Sequence, residues 1–306
     1  MLSLIIKRAL SSIPVLILVA TLTFVMVRIV PGGPFDAEKS LPPEIVANIK
    51  AKYHLDKPWP VQYLLYMGRL ARGDLGISYK YVNRTVNEVL GSALPVSAEL
   101  GFLALTIAIL IGVPLGTIAA VNRGTAGDIG AMLLATVGIS VPSFLVGALL
   151  IFVFGITLHW LPVGLWEGPR NMILPAFTLA AGPAAYLARL TRASVLEILE
   201  KDWVRTARSK GLTRDKTIIK HVLRNALIPV VTVLGPLTAI VITGSFVVEF
   251  IYAIPGMGRF FITAVTNRDY DLIMGTTLIF AVLLIVANTI VDVLYTVLDP
   301  KLRIDS

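Results

Sequence analysis

LGFLALTIAILIGVPLGTIAAVN, residues 100–122, contains no Asp, Glu, Lys or Arg. About 20 mostly apolar residues make a helix about 30 Å long, the thickness of a bilayer's hydrocarbon core. Five other stretches share this property: 9–27, 129–166, 171–188, 225–248 and 272–291. The stretch 129–166 is too short for two spans and a turn. Its last third holds His159, Trp160, Pro162, Gly164 and Trp166, the composition of an interfacial belt and a turn. It is read as one span near 131–157, giving six spans in all. Segment 9–27 follows Lys7 and Arg8, as a signal peptide's apolar region would. It is longer than such a region, however, and runs into Arg28-Ile29-Val30-Pro31-Gly32-Gly33 with no A-x-A site, so it is read as a retained first helix.

The composition of the whole chain agrees. Of 306 residues, 56% are hydrophobic and 15% charged, against about 25% charged in soluble domains. This excludes a soluble globular protein and a disordered one. The absence of cysteine excludes a disulfide framework, a thiolate zinc site and a cysteine nucleophile. His54, His159 and His221 are far apart and are read as structural, with no metal site. No G-x-x-x-x-G-K-S/T phosphate loop is present, so the chain is not expected to hydrolyse ATP. With no H-E-x-x-H or G-x-S-x-G either, no catalytic residues are expected. A net charge of +8 on so apolar a chain points to cytoplasmic loops, not to nucleic acid.

Six spans put both termini on one side. With the N-terminus inside, the inner segments hold 15 Lys and Arg, ten of them between 189 and 224, and the short outer loops hold Arg170, Arg259 and Arg268. Adding Arg28, Lys39 and Arg84 from the edges of the long 31–98 loop raises the outer count only to 6. Basic residues mark the cytoplasmic side, so both termini are predicted to be cytoplasmic. The external 31–98 loop predicts a short helix from Pro43, with Ile45, Ile49 and Tyr53 on one face. A second, at about 60–71, carries Tyr63 and Tyr66 and is expected at the membrane interface, ended by the turn Gly73-Asp74-Leu75-Gly76. The loop is read either as a packing cap or as a contact for a substrate-delivering partner.

Residues 189–228 read RLTRASVLEILEKDWVRTARSKGLTRDKTIIKHVLRNALI. Val195, Leu196, Leu199, Trp203 and Ala207 recur at helical spacing. Gly211 stands where a C-terminal glycine belongs, and Thr213 fits an N-cap with Asp215 in the following turn. Ile218, Ile219, Val222 and Leu223 resume the apolar stripe. The prediction is helix, sharp turn, helix on the cytoplasmic surface. Charge and periodicity alone fit either a rigid elbow that transmits a partner's push or an amphipathic hairpin resting on anionic headgroups.

Arg205-Thr206-Ala207-Arg208-Ser209-Lys210-Gly211-Leu212 resembles the cytoplasmic loop signature of ABC importer permeases, in a form similar to the peptide branch. Further phrases of that family follow in order along the chain. They include Arg8 with Ile13-Pro14, Leu41-Pro42-Pro43-Glu44, Gly73-Asp74-Leu75-Gly76 with Ser78, and Pro95-Val96-Ser97-Ala98. Arg192, His221, Asn225-Ala226-Leu227 with Pro229, and Gly244-Ser245-Phe246-Val247-Val248-Glu249 come next. Pro255-Gly256-Met257-Gly258, Asn267-Arg268-Asp269-Tyr270 and Val291-Asp292-Val293-Leu294-Tyr295 before Asp299-Pro300-Lys301 complete the set. The resemblance covers essentially the whole chain and is greatest to the B-type oligopeptide permeases, with dipeptide, glutathione and nickel permeases as relatives. Arg205 stands where the broad family has Glu, and Arg224 where it has Pro. Only Ala207 and Gly211 match the general signature directly, and a salt bridge from that Glu cannot be carried over.

The resemblance implies an all-α membrane protein with a type I permease core of five helices at 94–298, preceded by a first helix and external loop at 1–93 and followed by a cytoplasmic tail at 299–306. It implies a bacterial inner-membrane location and a pathway shared with a homologous second permease. It also implies two ATP-binding subunits that use ATP and Mg, and an extracytoplasmic peptide-binding protein. No cofactor is bound by this chain itself. ATPase coupling is carried onto 203–215 as a unit: Trp203, Arg205, Thr206, Ala207, Lys210, Gly211, Leu212 and Asp215. Pro142, Ser143, Thr243 and Glu249 are candidates for the pathway or its gate. The rival is an ion-coupled secondary transporter, which would need ionisable groups near the midplane. None lies deep in the charge-free stretches. Glu249 and Asp292 stand near span ends and are read as anchors or interhelix partners.

Overall fold

The computed structural model describes residues 2–35, 42–81 and 83–298. The predicted tail 299–306 and the side chains of Arg208, Thr243 and Ser245 lie outside the described residues. The architecture is helical, and among the described residues the extended pairing is an isolated bridge between Ile77 and Thr85. In chain order the helices are α1 (Leu2–Ile29), α2 (Pro43–Lys52), α3 (Trp59–Leu70), α4 (Val86–Val121), α5 (Ala126–Ser140) and α6 (Ser143–Leu150). A π-helical segment, Ile151–Thr157, follows α6. Then come α7 (Pro169–Leu199), α8 (Asp202–Ser209), α9 (Arg214–Thr217), a second π-helical segment (Ile218–Val222), α10 (Leu223–Ala226), α11 (Ile228–Ile251), α12 (Met257–Asn267) and α13 (Tyr270–Leu298).

Helices α1, α4, α7 and α13 are each long and apolar enough to cross a membrane, and two bent pairs bring the number to six. All six charge-free stretches therefore carry helix, the third only as far as Thr157. Phe102, Leu110, Leu134 and Phe152 are each more than 60% exposed, as befits a surface facing lipid. The third stretch carries one candidate span, as the sequence predicts, but a bent one. Helices α5 and α6 meet at 107°, because proline crowds the residue before it out of the helical region, and Val141 before Pro142 is extended at φ −85, ψ 124. The other bent pair, Arg214–Ala226 with Ile228–Thr238, turns by 49°, just before Pro229 in the first turn of α11.

The chain divides into two compact units. One comprises 97–254 and 286–298, and it packs through small residues. Ala180, Ala184, Ala185 and Ala188 of α7 are buried. A Cβ on Gly112 or Gly116 of α4 would collide with the backbone carbonyls of Ala184 and Ala188 respectively. Without side chains there, the two backbones approach closely enough for van der Waals attraction to hold them in lipid, where no hydrophobic effect drives helices together.

The other unit comprises 2–96 and 255–285. The two short helices predicted for the 31–98 loop form where the sequence places them, at α2 and α3. Tyr66 is 2% exposed, packed with Ala20 and Phe24 of α1 and Met274 and Leu278 of α13. Tyr63 shares a 2.7 Å hydrogen bond with Thr21. Arg28 donates Nε and Nη2 to Gln62 Oε1 at 3.1 and 3.0 Å. Ile45 of the predicted α2 face is exposed, whereas Tyr53 stacks on Phe35. After the Gly73–Gly76 turn, Ser78 and the Tyr79 N–H donate to Asp269. Burial pushes the Asp269 carboxyl above its usual range, and these donors oppose the shift. Glu249, predicted as an interhelix partner or anchor, belongs to the first unit and is fully buried, accepting from Ser97 Oγ at 2.7 Å.

Candidate functional site

The basic segment folds as an elbow. Helix α7 runs on past the charge-free stretch and stops at Leu199. Glu200 and Lys201 form a break, and α8 restarts with Asp202 in its first turn, where negative charge complements the helix dipole. Its end is closed by a Schellman arrangement: the Leu212 N–H reaches back to the Ala207 carbonyl at 3.4 Å, around Gly211 at φ +83. Gly211 therefore has the left-handed conformation that its place in the sequence predicts.

Two details differ from expectation. Thr213 is extended at the N-cap position of α9, at φ −64 and ψ 154, but its side chain caps nothing. Arg214 in the next turn is instead tied elsewhere, with Nη2 donating to the Val121 carbonyl at 2.7 Å. The apolar stripe also breaks its phase. Trp203, which the sequence groups with Val195, Leu196 and Leu199, is 42% exposed, and its neighbour Val204 is fully buried. The break at Glu200–Lys201 sets α8 on a helical phase different from that of α7, so spacing counted across it fails. Three consecutive charged residues, Glu200-Lys201-Asp202, are the signal that marks the break.

Val204 holds the elbow down in a cluster with Ala120, Val195, Val222 and Ala226. Its upper side presents Trp203, Arg205, Thr206, Lys210 and Gly211, all exposed, and Asp215 beyond the turn is exposed as well. Ala207 and Leu212 are half-buried. Positions 203, 206, 207 and 210 share one helix face. The result is a rigid ridge with a large aromatic side chain at one end and a lysine at the other. Arg205 lies 3.7 Å from Asp202, both highly exposed, a contact worth little. This ridge has the means to dock into a cleft on another protein, and among the described residues there is no cluster suited to hold a metal ion.

The pathway candidates are not gathered into one place. Pro142 makes the α5–α6 bend, and Ser143 lines a cavity of about 150 Å³ with Thr178, Gly182 and Val241. Glu249 is not among that cavity's lining residues. Thr243 falls on α11, with its side chain outside the described residues. Two polar groupings escaped the sequence reading. The Thr178 and Tyr252 hydroxyls share a 2.8 Å hydrogen bond, and Arg192 forms a bidentate pair with Asp128. Their partners are 74 and 64 residues apart, a separation that no local pattern records.

Comparison with known proteins accounts for nearly the whole chain. The oligopeptide transport system permease protein of Escherichia coli is 46% identical over 305 residues, covering 99% of this chain and 100% of that protein. The Salmonella typhimurium protein of the same name is 47% identical over the same length. The dipeptide transport system permease protein of Bacillus subtilis is 45% identical over 299 residues, 98% of this chain and 97% of that one. Among solved structures, the inward-facing methionine ABC transporter MetNI superposes with a TM-score of 0.56 at 16% identity, over 69% of this chain and 96% of that one. An amino acid ABC transporter gives 0.54 at 20% identity, over 67% and 92%. These two share the fold. Residues 1–98 match the N-terminal family of binding-protein-dependent transport system membrane components. With residues 112–304 matching the main domain as well, the chain belongs to the family of binding-protein-dependent transport system inner membrane components.

Proposed function

We propose that this chain is the permease subunit of an ATP-driven oligopeptide importer in a bacterial inner membrane. The observation that carries the reading is the end-to-end identity of 46% with an oligopeptide permease. The chain's part is transport, not catalysis. It forms half of a pathway with a homologous second permease, and an extracytoplasmic binding protein delivers peptide to the pair. Two ATP-binding subunits use ATP and Mg, and the elbow at 203–215 docks to one of them. The first helix and external loop at 1–93 precede a five-helix permease domain at 94–298. The basic asymmetry supports cytoplasmic termini and a cytoplasmic tail at 299–306.

In this mechanism ATP binding draws the two ATPases together and moves the ridge of α8. The small-residue contacts of α7 with α4, and with α5 through Ala135 beside Ala185 and Ala188, let packed helices shift as bodies, opening the pathway to one side at a time. Pro142, Ser143, Thr243 and Glu249 are proposed for the pathway or its gate. Pro142 supports this through its bend, and Ser143 through its place on a cavity wall.

A dipeptide substrate is the second reading, favoured by 45% identity with a dipeptide permease. Competition decides between them. Uptake of a labelled tetrapeptide or pentapeptide into vesicles holding the assembled transporter is measured against unlabelled oligopeptides, dipeptides, glutathione and nickel. Oligopeptides should compete best. Dipeptides competing at lower concentration, or competition by glutathione or nickel alone, would replace the substrate assignment.

A further inference from the structure

Both feet of the elbow are tied to the junction of α4 and α5, residues 121–128. On the entry side, Arg192 lies about two turns before the end of α7. It donates Nε to Asp128 Oδ1 at 2.6 Å and Nη2 to Oδ2 at 2.8 Å. The carboxylate is fixed from its own side too. Asp128 Oδ2 accepts the Gly124 N–H at 2.9 Å, and the Asp128 N–H is held by Thr125 Oγ1 at 3.3 Å. Arg123 reaches Glu200, just beyond α7, at 3.3 Å. On the exit side, Arg214 binds the Val121 carbonyl. From below, Val204 packs with Ala120.

These ties differ in strength. The Arg123–Glu200 contact is exposed on both sides and so is screened by salt and adds little. The Asp128 side chain is only 4% exposed and Arg192 27%. Their planar, two-bond geometry is the strongest and most directional form of ion pair. Asp128 stands in the first turn of α5, and α5 ends at the Val141–Pro142 bend. A displacement of the elbow therefore has a stiff route through Arg192 and Asp128 into α5.

We propose that the Asp128–Arg192 pair is the clamp that carries movement of the elbow into α5, and that both are positioning residues for coupled transport. The clamp rests on the reading of the elbow as the ATPase contact, and its test separates the two. In the cysteine-free chain, nitroxide labels at Ser209→Cys and Ile129→Cys, both exposed sites, report the elbow-to-α5 distance in lipid with no other subunit present. The distance distribution should be narrow, and it should broaden with Asp128→Asn or Arg192→Gln. A distribution unchanged by these substitutions overturns the clamp, whatever transport does.

In the assembled transporter, either substitution should lower peptide taken up per ATP hydrolysed about tenfold, an ordinary size for coupling between sites. Hydrolysis itself should continue. Arg192→Lys keeps the charge and loses the fork, so it should fall between, and it serves if Asp128→Asn fails to insert. Uptake and hydrolysis declining together, in proportion to the amount of complex assembled, would mean that the pair only packs the fold, and would overturn the proposal. Absence of ATP-driven uptake in the unsubstituted transporter would instead sink the functional reading, leaving the label distances to decide the clamp.

Discussion

At Gly211 the question is backbone conformation. A Cβ there would meet open space, so a substitution is opposed only by the positive φ, at about 1–2 kcal/mol for an L-residue. That is too little to unfold a bundle of membrane helices and enough to tilt an eight-residue ridge. Gly211→Val should insert normally and lose most uptake, while Gly211→Asn, which tolerates the left-handed region, should keep much of it. If the elbow rested on lipid, Gly211→Val would transport normally. Loss would then grow stepwise as Arg205, Arg208 and Lys210 were neutralised. A second contrast lies between neighbours. Trp203→Ala should change thermal stability by no more than about 0.5 kcal/mol, the usual size for an exposed site, yet weaken crosslinking of the elbow to the ATPase. Val204→Asp should loosen the elbow itself, because it buries an unpaired charge in the cluster with Ala120 and Val222. Gly211 was legible in the sequence because its requirement is local. The exchange of roles between Trp203 and Val204 was not, because it depends on where α7 stops.

Among the elements, α4 and α7 approach backbone to backbone. Stretches rich in small residues permit such packing but do not say which residues face each other. The structure sets Gly112 and Gly116 against the α7 backbone. Gly116→Val should cost about 1–3 kcal/mol through overpacking, with more if the backbones are forced apart. It should show as a lower unfolding temperature of the detergent-solubilised chain. Gly91→Val, on the same helix but with nothing near its Cβ, is the control and should change that temperature little. Equal losses from both would contradict the packing. The third charge-free stretch shows the limit of counting residues. Its length fitted one span, and its end was read as a turn. The bend lies at Val141-Pro142; the sequence singles out Pro142 as a gate candidate, but the angle it makes is not legible there.

For the molecule as a whole, the absence of charge along six stretches was enough to give the helical membrane class, because a bilayer tolerates little else. The proposed orientation rests on the 15-to-6 asymmetry of Lys and Arg and is open to direct test. Ser78 is unsuitable for labelling, being buried against Asp269. Arg72 and Ser209 are exposed. With cysteine at each in turn, an impermeant maleimide added to intact cells should label position 72 and spare 209, and the reverse pattern would invert the topology. The source of power is a property of the assembly, and no residue pattern in this chain spells it out. The most direct measurement is uptake of a labelled oligopeptide by proteoliposomes that hold the full transporter and its binding protein, with ATP enclosed or omitted and with an ionophore present or absent. Uptake should require ATP and be indifferent to the ionophore. Uptake that proceeds without ATP and collapses when the ionophore is added would contradict an ATP-driven permease and identify an ion-coupled one.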